Sequence, residues 1–268
     1  MTHSMIRSVL LLLAAGAVVA QAQLDVNVRL EPARAVLHEP VIAHIRIRNQ
    51  TAHEVVLGDS ESPDRLWMEI ERRPGSLVEP AGERLLSEEL VVPPNSTITH
   101  RVNLPRHYDL RTTGPYTVRV GIAWRERGFL SSGVFLDLVP GLEMMRSTGP
   151  GPDGAGERLY RLLTLNRDRG EHLFLRIDDE QLRLCYGTIH LGRLLRTNPP
   201  KMSLDAHGFV TILHQIAPGR YAYHRFDPDG RSLLQRVYTS ERPGVELELG
   251  ADGHYRVTGA TSSLHDTQ

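Results

Sequence analysis

The residues best placed to do chemistry are two histidines on either side of a short turn, His214 and His224. They flank residues 217–220, and a hairpin centred on Gly219 places them directly opposite each other on neighbouring strands. Facing imidazoles about 5 Å apart can bind one zinc or copper ion. No H-x-x-x-H or H-E-x-x-H motif accompanies them, so the alternative is a pair of half-exposed strand histidines. A register shifted by one residue turns them to opposite faces.

Other reactive side chains lack the partners that catalysis needs. Cys185 is the single cysteine, without a neighbouring Cys/His signature, and is expected to be a small buried hydrophobic residue. No G-x-S-x-G motif activates a serine, and residues 131–133 (Ser-Ser-Gly) lie at a hairpin or strand start. Residues 178–180 (Asp-Asp-Glu) could supply paired carboxylates for glycoside hydrolysis. Adjacent residues at a turn point apart, so solvated acids are the simpler interpretation.

Two motifs that suggest cofactors fail on their details. Residues 227–230 (Asp-Pro-Asp-Gly) resemble the start of a calcium loop, but Ser232 and Tyr238 stand where the loop needs Gly and Glu. A hairpin turn is predicted there instead. Residues 149–154 formally satisfy G-x-G-x-x-G, yet no strand directly precedes them, and Pro150 and Pro152 remove amide donors. We therefore predict no cofactor.

The composition bounds the class of protein. The 268 residues contain 31 Lys+Arg, 32 Asp+Glu and 40% hydrophobic residues. A disordered chain would be less apolar, and a nucleic-acid binder would show a basic excess. A disulfide scaffold needs paired cysteines, and a membrane span needs about 20 apolar residues in a row. A globular protein of one or two domains remains, without a nucleic-acid partner or an integral membrane span.

Residues 1–22 have the features of a secretory signal peptide. Arg7 provides the positive charge, residues 9–20 form an apolar run, and residues 20–22 (Ala-Gln-Ala) form a cleavage site. The alternative is a buried helix of a cytosolic protein. No cysteine follows the site, so no lipid anchor is expected. The sequence predicts an exported, periplasmic or secreted protein that begins at Gln23 and carries a net charge of −2.

The elements that must position these residues are short strands. In residues 116–124 apolar and polar or small residues alternate, which is typical of a strand with one buried face. Similar patterns with turn residues between them predict the N-terminal strands at 24–30, 41–48, 54–57, 66–72, 97–104, 116–124 and 133–139. The prediction is an all-β sandwich over residues 23–140, with a turn or two of helix over 82–90.

One local motif narrows this sandwich. In residues 110–116, Gly114 lies two positions before Tyr116. Tyr116 is the first residue of the predicted strand with the clearest alternation. This resembles the tyrosine corner of immunoglobulin-like domains, and Val118 stands where antibody domains carry their second cysteine. The N-terminal segment is therefore similar to exported bacterial immunoglobulin-like domains without a disulfide. The resemblance implies a hydrogen bond from the Tyr116 hydroxyl to the preceding loop. Such domains bind glycans, inhibit proteinases or act as spacers and adhesins.

Residues 141–157, rich in Gly and Pro, are predicted to be a linker that cannot hold a strand ladder. A second β domain over 158–262 and a tail over 263–268 follow. Its predicted strands are 159–165, 172–177, 182–186, 202–204, 209–215, 221–226, 233–238, 245–249 and 255–259. Residues 202–212 and 247–257 look alike, with Gly208 and Gly253 45 residues apart. That spacing is similar to a β-propeller blade, which predicts an antiparallel meander with blade-like hairpins.

The leading functional hypothesis is an exported, non-catalytic binding or structural module of the cell envelope that recognises a protein or glycan partner. A second hypothesis is a metal-dependent or hydrolytic enzyme with its site around His214 and His224. A third is a proteinase inhibitor that acts through an N-terminal loop such as residues 125–128.

Overall fold

The computed structural model describes residues 24–59, 61–73, 75–154, 156–179, 181, 183–241, 244–251 and 253–263. The predicted signal segment 1–22, and all of the predicted tail except residue 263, lie outside these residues. The described chain is nearly all β, which confirms the predicted fold class. The elements of the N-terminal half are β1 (Leu24–Glu31), β2 (Arg34–Val36), β3 (Ile42–Asn49), β4 (Val55–Leu57), β5 (Arg65–Arg73), β6 (Ser76–Leu77), β7 (Leu90–Val92), β8 (Thr97–Asn103), α1 (Leu104–His107), β9 (Gly114–Trp124), β10 (Arg127–Leu130) and β11 (Val134–Val139).

These strands form a sandwich of two main sheets, which we call the N-terminal module. One sheet has the order β1-β3-β8; the other has the order β2-β11-β9-β5-β6, with β10 also paired to β9. Burial alternates strictly along β1, as the period-two pattern predicts. The inner faces of both sheets share one hydrophobic core, in which Ile45, Ile70 and Ile122 are buried. A small sheet of β4 and β7 closes the side.

The helix predicted over residues 82–90 is wrong. The α-helix of the described residues is α1, a single turn that begins after Asn103 with a proline in its first turn. Of residues 82–90 only Leu86 is buried, and Gly82 has φ +94°, so no apolar stripe forms there to hold a helix. Within the described residues, no helix has the length and apolar content that crossing a bilayer requires.

The second half begins with a strand where a linker was expected. Its elements are β12 (Leu142–Pro150), a 3₁₀ turn (Pro152–Gly154), β13 (Glu157–Arg167), β14 (Gly170–Asp179), β15 (Leu184–Leu194), β16 (Lys201–Leu204), β17 (Val210–Ala217), β18 (Arg220–Phe226), β19 (Ser232–Thr239), β20 (Glu246–Leu249), β21 (Tyr255–Thr258) and β22 (Thr261–Ser263). The prediction that this stretch holds no ladder is wrong, because β12 pairs with β13 throughout. The edge position of β12 explains this, since an edge strand tolerates Pro150 as its last residue.

The second half, which we call the C-terminal module, stacks sheets in layers. Strands β12–β15 form one meander and β16–β19 another, with β22 added beside β19. Apolar residues such as Tyr160, Leu175 and Ile212 fill the space between the two meanders. On the opposite face of the second meander, Tyr223 packs with Val245 and with the hairpin of β20 and β21. The second meander is therefore covered on both faces.

Three turns of the C-terminal module share one pattern of hydrogen bonds. The N–H groups of Gly208, Gly230 and Gly253 donate to the carbonyls of the residues three positions earlier. The hairpin turn predicted at residues 227–230 is confirmed, and Asp227 Oδ1 caps it by accepting the N–H groups of Asp229 and Arg231. All three glycines have φ between +76° and +84°, which explains glycine at these positions.

The two modules are joined by direct contacts. Val36 of the first module packs with Leu163 and Phe174 of the second. Beside this contact the Thr188 hydroxyl donates to the Leu37 carbonyl at 2.7 Å. The junction therefore fixes the end of the N-terminal module on the outward face of the β12–β15 sheet.

Candidate functional site

The two histidines singled out by the sequence lie on the same face of one hairpin. The register pairs His214 with Ala222 and His224 with Ile212, so the two are diagonal neighbours. The prediction that they are directly opposite is wrong, because the loop has only two residues and an irregularity between Gln215 and Ala217 shifts the pairing.

Both histidine side chains are almost completely buried. The rings stack with centroids 5.5 Å apart, and only 1% of His214 and 3% of His224 is exposed. Burial first, and the neighbouring His224 second, lower the pKa of His214 to about 3. Burial likewise lowers the pKa of His224 to about 4. Both imidazoles are therefore neutral at pH 7, and they are interior residues rather than the half-exposed ones of the alternative interpretation.

Neutral imidazoles can ligate a metal, but a structural zinc site needs four ligands. Among the described residues, no group of three or more His, Cys, Asp or Glu side chains is arranged to hold an ion. The metal site at His214 and His224 stays a prediction. Stoichiometric zinc or copper in the purified protein, lost in His214→Ala, would support the enzyme hypothesis.

Cys185 and the acidic turn lie close together but do not form catalytic machinery. Cys185 pairs across strands with Asp178, and burial raises the pKa of its thiol to about 11. The thiol therefore stays protonated and is a poor nucleophile. Asp178 accepts from Arg176 Nε at 2.9 Å, whereas Asp179, the next residue, binds Arg158 at 2.8 Å on the other face. The two carboxylates do not converge, and residue 180 lies outside the described residues.

The candidate loop of the N-terminal module is a tight turn. Arg125 and Glu126 both have positive φ, at 49° and 64°, and form a two-residue connection between β9 and β10. The Arg125 N–H donates to Asp64 Oδ1 at 2.8 Å, and its guanidinium lies 4.5 Å from the Trp124 ring centroid. This geometry differs from the extended loop that a proteinase would bind as a substrate.

Ser131 has a structural role nearby. Its Oγ accepts the Val120 N–H and donates to the Ser132 carbonyl, both at 3.0 Å. The side chain is buried, so it supports the irregular joint between β10 and β11.

A site that sequence reasoning missed lies on the outward face of the six-stranded sheet. We call it the outer face, defined by Trp67, Arg119, Gly121, Leu130 and Phe135. Trp67 and Leu130 both pair with Gly121, so they flank it on neighbouring strands. Leu130 is 56% exposed and Phe135 is 59% exposed. The face therefore presents large apolar side chains to solvent on a rigid sheet.

The indole of Trp67 lies directly on the backbone of Gly121. A Cβ atom at Gly121 would stand 2.1 Å from Trp67 Cε2, so only glycine leaves room for the ring. Between this ring and Phe135, Arg119 Nη1 lies 3.3 Å from Glu71 Oε2. A glycine in the middle of a strand is the one sequence signal for such a close approach.

No family model and no curated protein matches the chain. Among solved structures it is similar to the sporulation control protein Spo0M from Bacillus subtilis, at 9% identity and a TM-score of 0.27. That match covers 61% of this chain and 83% of the other. A likeness at this TM-score carries no argument about fold or function.

Proposed function

We propose that the protein is an exported, non-catalytic binding module of the cell envelope that recognises a protein partner through the outer face. The observation that carries the proposal is the exposure of Leu130 and Phe135 on the same sheet face on which the Trp67 indole covers Gly121. Exposed apolar patches on folded proteins mark interaction sites. Trp, Phe and Arg are also enriched in the core of protein interfaces, where a few such side chains contribute most of the binding energy.

An immunoglobulin-like assignment of the N-terminal module supports this proposal. Such folds place their first, second and fifth strands in one sheet and their third, sixth and seventh in the other. The sheet β1-β3-β8 and the order β11-β9-β5 fit that division. The Tyr116 hydroxyl donates to the Thr112 carbonyl at 2.5 Å, the hydrogen bond that the tyrosine-corner motif predicts. In this assignment the outer face belongs to the sheet that contains the third, sixth and seventh strands.

Export is proposed from residues 1–22 alone, which lie outside the described residues. The test is mass spectrometry of the protein recovered from the periplasm or medium of its producing cell. We expect a mature chain that begins at Gln23. Recovery of the unprocessed chain in the cytoplasm would contradict export.

Binding is tested with a double variant, Leu130→Asp/Phe135→Asp, immobilised beside the wild-type protein and exposed to solubilised envelope. The control is Leu233→Asp/Leu249→Asp, which places the same two charges at exposed leucines of the C-terminal module. We expect one partner to bind the wild type and the control equally and to bind the double variant at least about tenfold more weakly. A partner that binds all three equally would overturn the assignment of the outer face.

The chemistry of the partner is a separate outcome of the same assay. We expect proteinase treatment of the envelope fraction to abolish binding and periodate oxidation to leave it intact. The opposite pattern would assign the outer face to a glycan, for which the flat Trp67 ring would be the stacking surface, and would overturn the choice of a protein.

A further inference from the structure

A second pair of histidines meets on the β12–β15 sheet, beside the junction of the two modules. Nδ1 of His172 in β14 and Nε2 of His190 in β15 lie 2.9 Å apart. The centroids of the two rings are 5.0 Å apart. Two imidazole nitrogens this close can share either one hydrogen or one metal ion. We call these two residues the junction histidines.

Strand pairing and an aromatic ring hold His190 in this position. His190 pairs directly with Phe174, and the centroids of their rings are 5.1 Å apart. His172, two residues before Phe174, therefore lies diagonal to His190. The register between β14 and β15 shifts beside this pair, and Gly192 at the shift has φ +109°, where glycine is favoured. Such β-bulges are common next to functional sites, because they change where a side chain points.

The backbone of Arg167 orients the ring of His172. It lies within hydrogen-bonding reach of that imidazole. A carbonyl that accepts the proton of one ring nitrogen leaves the other nitrogen with a free lone pair, and most metal-ligating histidines are held by a bond of this kind. Nδ1 of His172, which faces His190, is therefore the nitrogen available to an ion.

The junction histidines line a cleft of about 870 Å³ between the two modules. Residues 29–34 line it from the N-terminal module. His190 is exposed and His172 is half-buried, whereas His214 and His224 are almost completely buried. An ion and its water ligands can therefore reach the two nitrogens from the cleft.

The charges beside the junction histidines are mixed. Asp168, in the turn between β13 and β14, acts on both rings, and its side chain is 80% exposed. Arg167 also acts on both rings, but it binds the buried Glu39 at 2.8 Å. Arg193 acts on His172. The arginines disfavour a cation that is held by charge alone, so an ion at this place has to bind imidazole nitrogen strongly.

We propose that His172 and His190 bind one copper(II) ion, with water completing its coordination. Copper(II) has the highest affinity of the divalent first-row ions for such ligands, and it favours a tetragonal arrangement. Two nitrogens that are each about 2.0–2.1 Å from one ion lie about 2.9 Å apart at a right angle and about 3.4 Å apart at a tetrahedral angle. The spacing of 2.9 Å matches the right angle.

The ion takes the place of the hydrogen between the two rings. A small rotation of each ring points both lone pairs at the ion, and the proton of His190 Nε2 passes through solvent to Nδ1 of the same ring. Only two ligands come from the protein, so we expect reversible binding rather than the permanent retention of a four-ligand structural site. This site is separate from the outer face and does not depend on it.

The test is calorimetric titration with copper(II) chloride of the chain from Gln23, which contains every described residue. The protein carries no histidine tag, because tag imidazoles would compete for the ion. The variants are His172→Gln and His190→Gln. One control is His207→Gln, which removes an exposed histidine outside the cleft. The other is His214→Ala, which removes a ligand of the buried metal site predicted from the sequence.

We expect one copper(II) ion per chain, bound at least about tenfold more weakly by each variant of the junction histidines and equally well by both controls. Electron paramagnetic resonance of the wild-type complex should show two nitrogen ligands, a result that does not depend on how well the variants fold.

Three results would overturn the site: no saturable binding, a spectrum without two nitrogen ligands, or weakening in His207→Gln or His214→Ala equal to that in the variants. None of them affects the partner assay on Leu130 and Phe135, so the two proposals fail separately.

Discussion

The two modules differ in how their strands are buried. In the N-terminal module the main strands have one buried and one solvated face, as in β1, and the buried polar side chains of its described residues are Glu39, Asn49 and Ser131. In the C-terminal module the second meander lies between two layers, and the first six residues of β17 are all buried. More polar side chains are buried in this module, and among its described residues they are Arg158, Thr164, Asp178, Asp179, Thr188, Thr211, His214, Gln215 and His224.

This difference predicts where the protein is sensitive to charge. A buried polar group stabilises the fold only when its partner is present, and an unpaired buried charge costs several kcal/mol. The layered module should therefore respond strongly to pH and to charge-removing substitutions. The sandwich should respond mainly to loss of apolar packing.

The largest expected effect is the loss of the buried pair between Arg158 and Asp179. Their side chains are 7% and 4% exposed, and Arg158 also lies 4.1 Å from the Tyr186 ring centroid. Arg158→Ala removes the guanidinium from a buried carboxylate, which should lower the free energy of unfolding by about 3–5 kcal/mol. Chemical denaturation measures this loss of stability, and hydrogen exchange shows whether it lies in the C-terminal module.

The matched control is Arg29→Ala in the sandwich, which breaks an ion pair of the same 2.8 Å length between side chains that are 69% and 60% exposed. We expect little change there, because solvent screens exposed pairs. Equal effects of the two substitutions would contradict the contrast between the modules.

The next effect is a loss of stability in acid. The pKa values of His214 and His224 are lowered from 6.5 to about 3 and about 4, so the folded state favours the neutral rings. Above pH 6.5 the two histidines are neutral in both the folded and the unfolded chain, so they do not lower the free energy of unfolding. As the pH falls below 6.5 the unfolded chain takes up protons first, so by pH 5 each histidine should cost about 2 kcal/mol.

Denaturation at pH 7 and pH 5 of the wild type and of His214→Phe/His224→Phe measures this cost. Phenylalanine keeps a stacked aromatic pair but does not titrate, so the double variant should lose less stability between the two pH values. Identical losses would mean that other groups account for the acid sensitivity.

A smaller effect is expected at the tyrosine corner of the sandwich. Tyr116→Phe keeps the buried ring and removes only the hydrogen bond to the Thr112 carbonyl. We expect a loss of about 1 kcal/mol in the free energy of unfolding, confined to the N-terminal module. A loss several times larger would show that the hydroxyl has a role beyond this one bond.

The smallest effect on stability should come from Gly121→Ala, which acts on the outer face. The new methyl group would collide with Trp67, whose indole can turn into solvent, so binding of the partner should fall while the fold persists. Gly128→Ala is the control on the same hairpin, because nothing lies within 4 Å of a Cβ there. Circular dichroism measures whether the two variants fold, and the partner assay measures how strongly they bind. Unchanged binding by Gly121→Ala would remove Trp67 from the site.

Most strands were predictable because their evidence is local. Alternation identified the strand at Tyr116, and turn residues such as Gly208 and Gly253 located the hairpins of the second module. Predictions failed where a local signal had to compete with tertiary pairing. Gly149 and Pro150 favour a linker, but pairing with β13 holds them in an edge strand.

The candidate sites were less predictable than the fold, because each combines residues that are distant in the sequence. Leu130 and Phe135 have ordinary strand patterns, and only the pairing of β5, β9 and β10 sets Leu130 beside Gly121 and Trp67. The row of Arg146, Arg161 and Arg176 likewise depends on the register of three strands.

The amino-acid sequence by itself determined that the chain forms short strands and turns, because side-chain alternation and glycine or aspartate chemistry act within a few residues. Tertiary structure alone decided which of these strands meet and in which register. It set His214 diagonal to His224, aligned Arg146, Arg161 and Arg176 in one row, and seated Leu37 against Thr188. The physical reason is that pairing between distant strands depends on the burial of whole sheet faces, which no short segment specifies.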